Sequence, residues 1–130
     1  MHRKIMDYLA AWKASSHRKP LILQGARQVG KTYALLAFGR MHYENVAYFN
    51  FETDPALIET FSESIHPDYL IPILSHLAGQ TIVTGKTLII LDEVQLCERA
   101  LTSLKYFAEE APDNHIIVAG SLLGVAVNRT

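Results

Sequence analysis

The chain has 130 residues, of which 49% are apolar and 19% charged. That length fits one domain, and that balance excludes a disordered chain. The formal net charge of -1 excludes an overall basic footprint for nucleic acid, and the single cysteine, Cys97, excludes a disulfide framework and fits a reducing cytoplasm.

Ile5, Tyr8, Leu9 and Trp12 recur at helical spacing, so residues 1–16 are predicted to form an amphipathic packing helix. The early basic residues precede no continuous apolar run, which argues against a signal peptide. His17, Arg18 and Lys19 read as a local basic patch or as a solvated turn. Beyond Pro20, residues 21–24 form a short apolar segment predicted as a buried strand. A glycine-bearing loop follows, then an apolar segment over residues 33–38 predicted as a helix, with Gly39 near its end. Residues 46–51 are rich in strand formers. Asp54 and Pro55 make a helix start, since the carboxylate can cap and proline suits the first helical position. Another helical piece begins near Pro67, where Tyr69, Leu70, Ile73, Leu74 and Leu77 share a face. Pro72 falls inside it and is expected to kink or shorten it.

Residues 87–91 are apolar throughout, as a strand covered on both faces must be. Leu101, Leu104, Phe107 and Ala108 mark a helix over residues 99–111, closed by Pro112, and residues 115–119 are a fourth strand. Strands alternating with helices predict a parallel α/β sheet. The longest nearly apolar run, residues 116–127, is too short to cross a bilayer as a helix. The histidines show no close paired spacing, which disfavours structural zinc. Residues 121–130 show no stop signal, so the chain is expected to be a fragment of a longer protein, with a helix over 1–16 and a nucleotide-binding core over 20–130.

Chemistry concentrates in Gly25-Ala26-Arg27-Gln28-Val29-Gly30-Lys31-Thr32, which fits the phosphate-loop pattern G-x-x-x-x-G-K-[ST]. The glycines let backbone approach an anion, the curled amides make a nest for phosphate oxygens, and the following helix points its positive end at them. Lys31 supplies a full charge to the β- and γ-phosphates, and Thr32 offers a hydroxyl to the bridging Mg²⁺. Tyr33, next on the helix, completes the expected nucleotide-binding set; the residues give Arg27 and Gln28 no role beyond their place in the loop.

The apolar segment Leu88-Ile89-Ile90-Leu91 runs into Asp92 and Glu93. In a parallel sheet ligands sit beyond the carboxyl ends of strands, so Asp92 should emerge beside the loop and hold Mg²⁺ through water. Glu93 is then placed to take a proton from the attacking water. The competing reading of this pair is a helix cap with a solvated neighbour. Ser121, after Ala119-Gly120, reads equally as a group touching the γ-phosphate or attacking water and as a helix cap. Asn50 and Glu52 close the second strand on one face, with Glu52 a second acid near the water or an exposed strand end. Cys97 reads as a small packed residue. Arg99 and Arg129 read as surface ion-pair formers, or else as arginine fingers.

The segment Pro20-Leu21-Ile22-Leu23-Gln24 with the loop octet closely resembles a prokaryotic family of AAA-like P-loop ATPases that share a G-A-R-Q-V-G-K-T loop. Tyr48-Phe49-Asn50-Phe51-Glu52, Leu91-Asp92-Glu93-Val94-Gln95 and Ala119-Gly120-Ser121 resemble it too. The resemblance implies a three-layer α/β/α fold of the additional-strand type, in which the fourth strand lies between the first and third. It implies ATP and Mg²⁺ as ligands, with catalytic Lys31, Glu93 and a sensing Ser121, and with Thr32 and Asp92 at the metal. Members are usually much longer, with a C-terminal winged-helix and nuclease-like region; that region, a fifth strand beside the first and a helical lid are missing here. Two further readings stand beside an ATPase that drives a conformational change. One is a regulatory module that binds ATP with negligible turnover. The other, a small-molecule kinase, lacks the arginine-bearing lid such enzymes need. A GTPase is disfavoured by the missing [NT]-K-x-D motif. The sequence leaves open self-assembly into a homo-oligomer and a protein or nucleic-acid client, and points to no membrane partner.

Overall fold

The computed structural model describes residues 2–24 and 29–121. Among them α1 (His2–Ala14) leads into β1 (Leu21–Gln24), α2 (Val29–His42), β2 (Asn45–Asn50), α3 (Pro55–Glu63), α4 (Pro67–Ala78) and β3 (Thr87–Asp92). A short 3-10 helix (Val94–Leu96), α5 (Glu98–Glu110) and β4 (His115–Gly120) complete the order. The sheet runs β1-β4-β3-β2 with every neighbouring pair parallel. The fourth strand thus lies between the first and third, as the resemblance implies.

Side-chain alternation divides the sheet into two faces. Leu88, Ile90, Ile117 and Ala119 pack with Leu9 of α1 and with Leu35 and Phe38 of α2. Ile89, Leu91, Ile116 and Val118 pack with Leu57 and Phe61 of α3, Leu70 and Leu74 of α4, and Leu104 and Phe107 of α5. The result is a three-layer α/β/α sandwich. Every residue of β3 and β4 is buried, because both strands are central and covered on both sides.

Local signals set the joints. Asp54 accepts a hydrogen bond from the Ala56 amide at 3.1 Å, and Pro55 takes the first position of α3, as predicted. At the end of α1, Arg18 donates to the carbonyls of Lys13 and Ser15 at 3.0 and 3.4 Å, so the basic triplet is a turn that closes a helix. The Trp12 indole donates to the Lys19 carbonyl at 2.7 Å and ties α1 to the start of β1. Gly79 ends α4 in the left-handed region, at φ +70°, with its amide bonded to the His76 carbonyl.

Four expectations are corrected. β1 is not a buried strand: Ile22 is 49% exposed and Gln24 is exposed, because β1 is the edge and Ile22 lies outside the apolar cluster that covers Val118 beside it. The second helix is longer than residues 33–38: α2 spans Val29–His42, with Gly39 near its end. A Cβ there would stand 2.4 Å from Val46 Cγ2 and 3.1 Å from Leu88 Cδ2, so the glycine lets α2 sit directly on β2 and β3. Pro72 does not shorten α4. It removes the amide that would bond to the Asp68 carbonyl, and both residues lie on the exposed side of the helix. Glu52 is not in the strand: β2 ends at Asn50, and Glu52 lies exposed in the turn that follows.

Candidate functional site

Four parallel strands bring four carboxyl ends to one edge: Gln24, Asn50, Asp92 and Gly120. α2 starts at that edge, after β1. A helix leaves its first four amides, here those of residues 29–32, without intrahelical acceptors, and its N-terminus carries partial positive charge. Of the expected loop, Gly25, Ala26, Arg27 and Gln28 lie outside the described residues. Val29 opens α2. Gly30 is exposed, and a Cβ on it would meet nothing within 4 Å among the described residues. Lys31 and Thr32 are half-buried in the first turn, and Tyr33 beside them is exposed.

The joint between this helix and the sheet is a hydrogen bond. Thr32 Oγ1 donates to Asp92 Oδ2 at 3.1 Å, across sixty residues of sequence. Period-two alternation explains why Asp92 is available. It follows Leu88 and Ile90 on the face that α2 covers, one residue past the last apolar side chain of β3. Asp92 is 5% exposed, and its carboxylate accepts two further hydrogen bonds beside that of Thr32. The Tyr48 hydroxyl donates to Oδ2 at 2.6 Å, and the Glu93 amide donates to Oδ1 at 2.9 Å. Burial, reinforced by the bond to Asp92, pushes the Tyr48 phenol above its ordinary pKa, so it stays protonated as a donor.

Glu93 is the one non-glycine residue with positive φ among the described residues, at φ 56° and ψ 41°. A left-handed conformation costs about 1–2 kcal/mol for a residue with a Cβ, and such strain persists where the surroundings fix it. The side chain is buried, and Gln95 Nε2 donates to Oε1 at 2.8 Å. Glu93 stands at the cap position of the 3-10 helix without a side-chain capping bond, so the pair is not a carboxylate cap with a solvated neighbour.

A family model described as an AAA domain matches residues 17–130. The chain belongs to that AAA domain family. No curated protein matches it. Membership implies ATP binding, and the matched span starts after α1.

Around this AAA domain's edge the other expected residues separate. Ser121 follows β4 directly and is half-buried at the same edge. Asn50 lies level with Asp92 in the β2–β3 register, its Nδ2 donates to Tyr48 Oη at 3.3 Å, and its Oδ1 accepts the Glu52 amide at 2.8 Å. Arg99 is exposed, and its Nε donates to the Phe61 carbonyl near the end of α3 at 2.7 Å. Arg129 lies outside the described residues. Cys97 is buried, and burial pushes its thiol up, in keeping with a packed residue. The sequence reading gave Tyr48 and Gln95 no part. The alternation of β2 puts Tyr48 on the face of Asn50, but nothing in the sequence sets the reach of its ring toward Asp92.

The donor set fits magnesium. A threonine hydroxyl and an aspartate carboxylate within hydrogen-bond distance are hard oxygen ligands, and Mg²⁺ takes one or two protein oxygens while keeping several waters. Among the described residues no group of three or more His, Cys, Asp or Glu could hold a metal by themselves. No helix among the described residues is long and apolar enough to cross a membrane.

Proposed function

We propose that this AAA domain binds Mg-ATP at the carboxyl edge of the sheet, between α2 and β3, and hydrolyses it to ADP and phosphate to drive a conformational change. The observation that carries the reading is the Thr32–Asp92 contact, which supports a metal-holding pair at the mouth of a phosphate loop. In this reading the amides of residues 25–33 and the Lys31 ammonium cradle the β- and γ-phosphates. Thr32 and Asp92 hold Mg²⁺, which when bound neutralises charge on the phosphate oxygens. Glu93 takes a proton from water as the water oxygen bonds to the γ-phosphorus and the bond to the β–γ bridging oxygen breaks. Ser121 contacts the γ-phosphate or that water. The strained backbone at Glu93 supports a functional carboxylate at this point of the chain. A cytoplasmic setting suits the single cysteine, and assembly into a homo-oligomer would let a neighbour supply an arginine finger.

The test is titration of the protein with Mg-ATP and Mg-GTP beside Lys31→Ala, with phosphate release followed in wild type and Glu93→Gln. Binding to ATP alone that disappears in Lys31→Ala is expected, with Glu93→Gln binding ATP and losing turnover. Binding that survives in Lys31→Ala refutes the site.

One observation favours a second reading, a regulatory module with negligible turnover. Gln95 engages Glu93 Oε1 at 2.8 Å, which competes with a water for that oxygen. Phosphate release abolished by Lys31→Ala excludes this reading; ATP binding without release supports it.

A further inference from the structure

The end of β2 carries a chain of side-chain hydrogen bonds that the ATPase reading does not use. The Glu52 amide donates to Asn50 Oδ1 at 2.8 Å, Asn50 Nδ2 donates to Tyr48 Oη at 3.3 Å, and Tyr48 Oη donates to Asp92 Oδ2 at 2.6 Å. The last bond is the shortest of the three that the Asp92 carboxylate accepts. Each link has a direction. A phenol has one proton, and the Asn50 amide occupies a lone pair of Oη, which leaves that proton aimed at the carboxylate. Tyr48 is half-buried, and its ring packs against the cluster under α2, so the hydroxyl is held by packing as well as by its partners.

We propose that Tyr48 is a positioning residue for the metal-holding Asp92, and that Asn50 orients the Tyr48 hydroxyl for that task; the proposal rests on the Mg-ATP reading above. Oδ2 has two lone-pair sites, and Thr32 and Tyr48 fill both. Among the described residues Oδ1 accepts from the Glu93 amide, so its second lone pair is the one that can receive a metal-bound water. Two donors on one oxygen and one on the other fix the carboxylate plane before ligand arrives. With Tyr48 absent, Thr32 alone would hold Oδ2, and Thr32 is also the hydroxyl that the metal needs. Tyr48 thus lets Thr32 serve the metal without Asp92 losing its orientation. A charge-assisted hydrogen bond of this kind is stronger than a neutral one because the acceptor is ionised.

The experiment measures ATP affinity twice, with Mg²⁺ and in EDTA, for wild type, Tyr48→Phe and Lys31→Ala, using a fluorescent ATP analogue. The readout is the ratio of the two affinities. Tyr48→Phe keeps the ring and removes only the hydroxyl, and it should lower the Mg²⁺ enhancement by about three- to tenfold, with EDTA affinity held within about twofold. A purely structural role for Tyr48 would lower both affinities together and leave the ratio at the wild-type value, and that result overturns the proposal. Where Tyr48→Phe fails to fold, Asn50→Ala carries the test: a smaller drop in the same ratio is expected, and an unchanged ratio refutes the chain. Wild type that binds no nucleotide, or binds as well in Lys31→Ala, fails the ATP reading itself and this proposal with it. Wild type with normal Mg²⁺ enhancement and a Tyr48→Phe ratio equal to it fails this proposal alone.

Discussion

Gly39→Ala should destabilise the protein, although alanine is the better helix former. The position is interior to α2, where exchanging glycine for alanine normally gains about 1 kcal/mol. Here the new Cβ would lie 2.4 Å from Val46 Cγ2 and 3.1 Å from Leu88 Cδ2. Ordinary carbon contacts are about 3.5–4.0 Å, so the helix and strand must separate by roughly 1 Å or more. Neither neighbour yields easily. Val46 is β-branched with a stiff χ1, and Leu88 is fully buried in the central strand. Overpacking of this kind costs typically about 1–3 kcal/mol, and the helix gain offsets about 1 of it. Given the depth of the overlap, the upper part of that range applies, and the net loss is about 1–2 kcal/mol. For a domain of this length that lowers Tm by roughly 4–8 °C. The assay is thermal and urea unfolding of wild type, Gly39→Ala, Val46→Ala and the double variant. The double variant should be more stable than the sum of the singles by about 1 kcal/mol or more, since removing the Val46 methyls opens the space the new Cβ needs. A Tm that rises in Gly39→Ala, or strictly additive effects, would refute the close seating of α2 on the sheet. The matter reaches the site, because Thr32 rides on the same helix two turns away.

Asp54→Ala removes the carboxylate that caps α3 and should cost about 1 kcal/mol in urea unfolding, while Asp54→Asn should cost far less. His115 offers a pH test: it is buried, its Nδ1 lies 2.5 Å from the Tyr43 hydroxyl, and burial together with the Arg18 and Lys13 charges, against the opposing pull of Asp113, depresses its pKa to about 4. The unfolded chain takes up this proton near pH 6.5 and the folded one only near 4, so His115 lowers stability as pH falls through that window. The loss should total about 2–3 kcal/mol by pH 4. His115→Gln should show a shallower fall over the same range than wild type, and equal slopes would refute the assignment.

The fold was legible where local chemistry is decisive. Asp54-Pro55 announces α3, the uninterrupted apolar run before Asp92 announces a strand covered on both faces, and Pro112 closes α5. Legibility failed where a residue's meaning depends on a partner distant in sequence. Gly39 reads only as a sign that a helix end is near, and as a contact surface only once Val46 is opposite. Ile22 reads as buried until β1 proves to be the edge. Arg99 reads as a surface charge and is exposed, but its bond to a carbonyl thirty-eight residues away depends on the fold. At the site, Thr32 and Asp92 were legible because the spacing of their motifs reflects one local geometry each, and the parallel sheet brings those geometries to the same edge. Tyr48 was not, since its role comes from the length of a phenol ring reaching two residues along the neighbouring strand, past its partner Ile90 to Asp92.

The central claim is that a metal-bound triphosphate sits between the start of α2 and the tip of β3. The most direct measurement substitutes paramagnetic Mn²⁺ for Mg²⁺ in the ATP complex and follows loss of assigned amide signals. Thr32, Asp92 and Glu93 should broaden first, and Thr87 at the opposite end of β3 should persist. Broadening centred elsewhere, for example around His66 and Glu110, or none that depends on ATP, would contradict the account.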